Sequence, residues 1–208
     1  MKFIGLLTLL LITHSLFAQD QKMTASEITQ FKTTTEKGTK TIKTVKTDFI
    51  QYKHLAFLEK DIESSGKMIF KTPSSLNWKY VSPYQYSIIF KNNKIYINDQ
   101  GNKSTVNAGN SKMFERINKL IVGTVSGNMF DDKEFDIEYF KNKEFNIAKL
   151  TPKETALKKY IKQVYLYFPP NESVVSKVKL IEPSDDYTLI IFKNKVINAP
   201  IDDALFSH

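Results

Sequence analysis

The 208-residue sequence contains no cysteine, one tryptophan and three histidines, and its only arginine is Arg116. The missing cysteine excludes disulfides, a thiolate nucleophile, thiolate metal sites and lipid attachment through a cysteine of this chain. None of the histidines, His14, His54 and His208, stands at metal-ligand spacing from another ligand, so neither a metal nor a cofactor is expected. The glycines form no phosphate-cradling loop, and no serine occupies a nucleophile elbow. The acidic pairs Asp131-Asp132, Asp185-Asp186 and Asp202-Asp203 lie in turn-like contexts. Neighbouring strand residues point to opposite faces, so such pairs do not form one acid/base couple. No catalytic residue is expected, and the chain reads as a non-enzyme.

Long hydrophobic runs are also missing, except at the start. Met1–Ala18 has a basic Lys2, an apolar run from Phe3 to Ile12 and a small residue at Ala18 before Gln19. The run is well short of the ~20 apolar residues that a spanning helix needs. It reads as a secretory signal peptide, leaving residues 19–208 as a single exported domain in the periplasm, not itself lipidated. Basic residues outnumber acidic ones 30 to 22, a formal charge of +8. The lysines are dispersed and arginine is nearly absent, which argues against nucleic-acid recognition. The excess suits acidic partners or anionic lipid headgroups.

What is present is alternation. In Gly66–Tyr80, Met68 and Phe70 alternate with Lys67 and Lys71; after a Thr72-Pro73-Ser74-Ser75 turn, Leu76, Trp78 and Tyr80 alternate with Asn77 and Lys79. This predicts a hairpin with one apolar and one basic face. Val45, Thr47, Phe49 and Gln51 predict one face of a preceding strand, and His54–Ser65 a link with Leu55, Phe57 and Ile62 inside. Lys-Asn turns at Lys91–Lys94, Phe140–Lys143 and Phe192–Lys195 predict an antiparallel meander, with Asp99–Asn110 as a polar loop. About nine to eleven strands result, a number at which sheets curl or close.

Two helices complete the reading. Thr24 to about Thr44 is a polar helix that Ser26 could cap, with a thin stripe of Ile28, Phe31, Ile42 and Val45 suited to lying over something. Met113–Val125 has a broad stripe of Met113, Phe114, Ile117, Leu120, Ile121 and Val125, with Asn110 or Ser111 as cap. The expected fold is mainly β (α+β), a curved, half-open antiparallel barrel with helices over it. Alternation alone leaves two readings of the apolar face, a permanently filled core or a surface for a hydrophobic ligand.

Phe49-x-Gln51, Gly66-x-Met68-x-Phe70-Lys71-x-Pro73 and Leu76-x-Trp78-x-Tyr80-x-x-Pro83, followed by the hairpin in Ile88–Gln100, resemble the periplasmic outer-membrane lipoprotein carrier (LolA-like) family. The resemblance is sharpest from Phe49 to Gln100. It implies a hydrophobic hollow that holds the acyl chains of lipoproteins under a helical lid. The implied partners are acylated lipoproteins, an ATP-driven extractor in the inner membrane and an outer-membrane acceptor, with the carrier itself a monomer. The implied wall is Phe49, Met68, Phe70, Leu76, Trp78, Tyr80, Tyr86, Ile88 and Phe90. The lid stripe is Met113, Phe114, Ile117, Leu120 and Ile121. A binding protein of the same fold for another lipid or hydrophobic envelope metabolite is the alternative. One position departs from the family: Thr72 stands where members typically carry an arginine associated with latching the lid.

Overall fold

Alternating stretches become strands because their inner apolar residues meet apolar partners across the ladder, as Phe70, Leu76, Phe90 and Ile95 do. The computed structural model describes residues 20–107 and 133–207. Met1–Ala18 and the expected helix Met113–Val125 lie outside these residues. The first strand, β1 (Gln21–Lys22), leads into helix α1 (Ala25–Lys40). Then come β2 (Thr44–His54), β3 (Ile62–Lys71), β4 (Ser75–Ser82), β5 (Tyr86–Lys91), β6 (Lys94–Asp99) and β7 (Asn102–Asn107). The remainder is β8 (Phe135–Lys141), β9 (Asn146–Pro152), a one-turn helix α2 (Thr155–Lys158), β10 (Gln163–Phe168), β11 (Lys177–Ile181), β12 (Tyr187–Ile197) and a 3-10 turn at Asp203–Phe206.

The strands form one antiparallel sheet of twelve, in the order β1-β8-β9-β10-β11-β12-β2-β3-β4-β5-β6-β7. Two meanders, β8 to β12 and β2 to β7, are sewn together where β12 pairs with β2. The ends of the order do not pair with each other, so the sheet is open rather than a closed barrel. One face carries nearly all the buried apolar residues and is called the inner face below.

Helix α1 covers the inner face of the β8–β10 region through Phe31, whose ring meets Phe168 at 5.3 Å and Tyr139 at 6.1 Å, both edge-on. Its N-terminus is closed by Thr24 rather than Ser26: Glu27 N–H donates to the Thr24 hydroxyl while the Glu27 carboxylate accepts from Thr24 N–H, a reciprocal capping box. Its buried stripe continues through Thr35 and Thr39. The Thr39 hydroxyl donates to the Thr35 carbonyl at 2.8 Å, so a polar residue is buried without an orphaned donor.

Several expectations are corrected. Asn102–Asn107 lies in the stretch expected to be loop, yet it pairs along its whole length with β6. It is an edge strand whose residues are exposed apart from Val106, which packs on the inner cluster, so it carries no apolar alternation to betray it. The expected turn at Phe192–Lys195 lies within β12, as a register shift between Lys193 and Val196 with Asn194 at φ 54°. The Asn194 side-chain amide donates to Asp48 Oδ2 at 2.9 Å, which ties the bulge to β2. Phe57 and Ile62 are not inside; they are 80% and 48% exposed. Finally, the Lys67/Lys71 face of β3 is not wholly polar. Ile69 is buried there with Ile89 under Phe206 of the 3-10 turn.

Candidate functional site

Gly66 explains how the centre of the inner face is built. A Cβ on Gly66 would lie 2.0 Å from the Lys79 carbonyl oxygen and 2.7 Å from Phe49 Cζ. The bare backbone lets the Phe49 ring lie across β3 and reach β4, where it packs on Trp78 at 4.5 Å and meets Tyr80 edge-on at 5.2 Å. Phe192 of β12 approaches Trp78 edge-on at 6.0 Å, and Tyr86 of β5 lies 6.1 Å from Tyr80. Strands β2, β4, β5 and β12 thus contribute rings to one aromatic group, each from an inward position, with β3 passing beneath as bare backbone at Gly66.

Strand register divides the inner face into three rows. Phe70, Leu76, Phe90 and Ile95 are directly paired across β3 to β6, and all are buried. The next row is Met68, Trp78, Ile88 and Ile97; here Met68 and Trp78 are buried but Ile88 and Ile97 keep partial exposure. The last row runs Gly66, Tyr80, Tyr86 and Asp99, with both tyrosines half-buried. Burial therefore falls along β4, β5 and β6, from a closed floor at Leu76 to a rim at Tyr80 and Tyr86, while β3 stays buried from Phe70 to Gly66. Half-buried Val178, Leu180, Ile190 and Phe192 extend this apolar strip onto β11 and β12, and Phe192 touches the clusters on both halves of the sheet.

The rim is where the strip turns polar. The Tyr80 hydroxyl donates to Gln51 Oε1 at 3.0 Å. Burial raises the Tyr80 phenol above its ordinary value, an effect the neighbouring indole of Trp78 partly opposes. Burial also raises Tyr86, with the Asp99 carboxylate adding to the rise. Both phenols therefore stay neutral donors throughout the physiological range. The Trp78 Nε1–H is buried and faces the Tyr80 oxygen, near enough to oppose that rise but outside good hydrogen-bonding geometry, and no other acceptor among the described residues completes the bond.

Of the residues expected on the wall, Phe49, Met68, Phe70, Leu76, Trp78 and Phe90 are buried, and Tyr80, Tyr86 and Ile88 are half-buried on the same face. The expected lid residues Met113, Phe114, Ile117, Leu120 and Ile121 lie outside the described residues. Sequence reasoning missed Ile97, Val178, Leu180, Ile190 and Phe192. Lys71 cannot replace the family arginine as an inner-face latch. It pairs at 2.6 Å with Asp203 of the 3-10 turn, on the outer face. A separate cleft of about 480 Å³ lies between the end of α1 and the 171–174 segment, walled by Ile42 and Val174 and crossed by the Lys195–Glu172 ion pair. The described residues hold no group of three or more His, Asp or Glu placed to bind a metal. None of their helices is long and apolar enough to cross a membrane.

The family model described as "Outer membrane lipoprotein carrier protein LolA" matches residues 40–208. No curated protein matches the sequence. Among solved structures, MucB superposes with a TM-score of 0.52 at 9% identity, over 87% of this chain and 62% of that one. The LolA superfamily protein NE2245 from Nitrosomonas europaea gives a TM-score of 0.45 at 7% identity, over 86% of this chain and 97% of that one. The Mycobacterium tuberculosis lipoprotein LppX gives 0.44 at 8% identity, over 86% and 99%. The MucB likeness reflects a shared fold.

Proposed function

We propose, from the premise that this chain belongs to the outer membrane lipoprotein carrier (LolA) family, that it carries acylated lipoproteins through the periplasm. On this reading the chain is a binding protein and makes or breaks no bonds. An ATP-driven extractor in the inner membrane would load it, and an outer-membrane acceptor would receive the cargo. The observation that carries the proposal is the burial gradient on the inner face. A permanently filled core would close every row. Here Leu76 is fully buried, whereas Ile88 and Ile97 one row away and Tyr80 two rows away stay accessible, with Ile190 and Phe192 accessible beside them. The acyl chain would lie along that strip, its methyl end toward Leu76 and its ester end at the tyrosine rim. The buried Trp78 Nε1–H, which makes no well-formed hydrogen bond and only faces the Tyr80 oxygen, would then meet a carbonyl of the ligand, completing its hydrogen bonding.

Energetics set how such a site must work. Burial is worth about 0.8 kcal/mol per CH₂, so one palmitoyl-length chain gains on the order of 10 kcal/mol. Several fully buried chains would never be released. A carrier therefore binds along a wall that keeps part of the acyl surface replaceable by its own side chains. The expected stripe of Met113, Phe114, Ile117, Leu120 and Ile121 has the composition to cover such a half-buried strip.

The test uses Trp78, the only tryptophan, as reporter. Titration of the detergent-free protein with a quencher-labelled acyl chain should quench its emission to saturation. Ile88→Asn, on the half-buried row, should weaken the titration while costing less thermal stability than a change on the closed row. Emission indifferent to the probe would show a filled core and end the proposal.

A further inference from the structure

The open end of the inner face is also where the chain exposes its large apolar side chains. Register places the β2–β3 link, the β4–β5 link and the β11–β12 link at the same end as Tyr80 and Tyr86. In the first link Phe57 is 80% exposed, Leu58 37% and the adjoining Ile62 48%. At the second, Val81 near the end of β4 is 45% exposed and Tyr84 in the link 53%. Val81 is skipped by the pairing, which goes from Gly66–Tyr80 to Ser65–Ser82, so a bulge aims it out of the sheet.

These tips are built rather than loose. The Leu58 N–H donates to the Leu55 carbonyl at 2.8 Å, forming a turn that presents Phe57 at its apex. Across the rim, the Asp186 carboxylate accepts from the Ala56 N–H at 2.8 Å. His54 Nδ1 and Asp61 Oδ1 lie 2.8 Å apart, and the His54 ring stacks on Tyr187 at 4.7 Å. A turn so braced, whose apex is a phenylalanine in water, sacrifices apolar burial that a flexible or polar link would not.

We propose that the Phe57–Leu58 turn, flanked by Ile62, Val81 and Tyr84, inserts into the interfacial layer of a lipid bilayer, bringing the rim of the inner face against the membrane. Phenylalanine and leucine at a tip with tyrosine behind it is the order of polarity met on entering a bilayer from water. The local charges are of both signs, Glu59, Lys60 and Asp61, so apolar insertion rather than attraction to an anionic surface drives the contact. This gives transfer a dry route: an acyl chain leaving past Tyr80 and Tyr86 enters lipid without crossing water. The route rests on the acyl-carrier reading above; the insertion itself does not.

The test measures both separately. The chain as processed by the exporting cell is floated with vesicles of phosphatidylethanolamine and phosphatidylglycerol, without any acyl ligand. Phe57→Ser should lower vesicle partition on the order of tenfold or more, as expected for removing one buried phenylalanine. Because Phe57 is so exposed, this variant should unfold at the parent temperature and quench with the acyl probe as the parent does. Transfer of the probe from protein to vesicles should slow in proportion to the lost partition, and high salt should leave the parent's partition nearly intact. If the parent ignores the vesicles, or Phe57→Ser and Phe57→Ser/Leu58→Ser partition like the parent, insertion is refuted and the turn is a contact for a protein. Failure of probe binding alone would overturn the acyl-carrier reading and leave the flotation result standing.

Discussion

Replacing Gly66 by alanine adds one methyl group at the most crowded point of the inner face. Gly66 has no left-handed backbone to protect, so the effect comes from space alone. The new carbon would sit 2.0 Å from the Lys79 carbonyl oxygen and 2.7 to 2.8 Å from two atoms of the Phe49 ring. The ring can swing, but the carbonyl belongs to β4 and is held by the ladder on both sides of the bulge. Overpacking of this kind costs about 1–3 kcal/mol, and the upper half applies when backbone must move. Alanine returns about 0.4–1 kcal/mol by restricting the unfolded chain. The net loss is about 2 kcal/mol, or roughly 4–8 °C in Tm for a chain of this size. Urea unfolding followed by Trp78 emission reads it directly. Emission of the folded variant should change as well, since Phe49 packs on the indole at 4.5 Å. Phe49→Leu in the Gly66→Ala background should recover only part of the loss, because the carbonyl clash remains. Stability within about 0.5 kcal/mol of the parent would refute the claim that Gly66 is there for close approach.

Two further predictions follow from the geometry. Leu76→Ala, on the closed floor with no exposure, should cost about 2–5 kcal/mol in urea unfolding, in contrast to the smaller effect on stability expected for Ile88→Asn one row away; equal losses at the two sites would erase the burial gradient. Glu27 is lowered from its ordinary 4.5 to about 2, first by its hydrogen bond with Lys141 and then by the capping contacts with Thr24. A carboxylate depressed on folding stabilises the fold above pH 4.5, and that contribution disappears as pH falls toward 2. Glu27→Gln keeps the capping hydrogen bonds but removes the charge, so it should flatten the acid limb of a Tm-against-pH curve in that window, and an unchanged limb would show that the charged contacts of Glu27 with Lys141 and Thr24 do not contribute.

The hairpin Gly66–Tyr80 was legible because Met68/Phe70 and Leu76/Trp78/Tyr80 each mark one apolar side and a proline-serine turn joins them, although Ile69 breaks the polar side of β3. Lys91-Asn92-Asn93-Lys94 was legible for a related reason: both asparagines take positive φ, 51° and 61°, as a two-residue hairpin requires. Phe192-Lys193-Asn194-Lys195 has nearly the same letters and a different outcome. Asn194 takes the same kind of backbone conformation, but one left-handed residue makes a bulge as readily as a turn. Only the Asp48 carboxylate 146 residues earlier decides which. Strand β12 also hid its inner face. Thr188, Ile190 and Phe192 point inward while Leu189 and Ile191 point outward, so apolar residues occupy both sides and no alternation marks the strip. The wall residues could be named from the chain, but the row to which each belongs is a property of register. Whether a row is closed or open depends on pairing partners far away in sequence. The sequence places Phe57 on the inside of the link, where a phenylalanine usually is; nothing local reveals that its turn projects past the end of the sheet.

The central claim is that the open rows of the inner face hold acyl chains. The most direct measurement is native mass spectrometry with lipid extraction on the chain purified from the envelope without detergent, alongside the Trp78 quenching titration. A co-purified triacylated polypeptide, competed off by the acyl probe, is the predicted result. Free phospholipid or fatty acid in its place would retain the site and transfer it to the alternative ligand class. A protein free of lipid whose Trp78 emission ignores added acyl chains would contradict the account, because the inner face would then be a filled core.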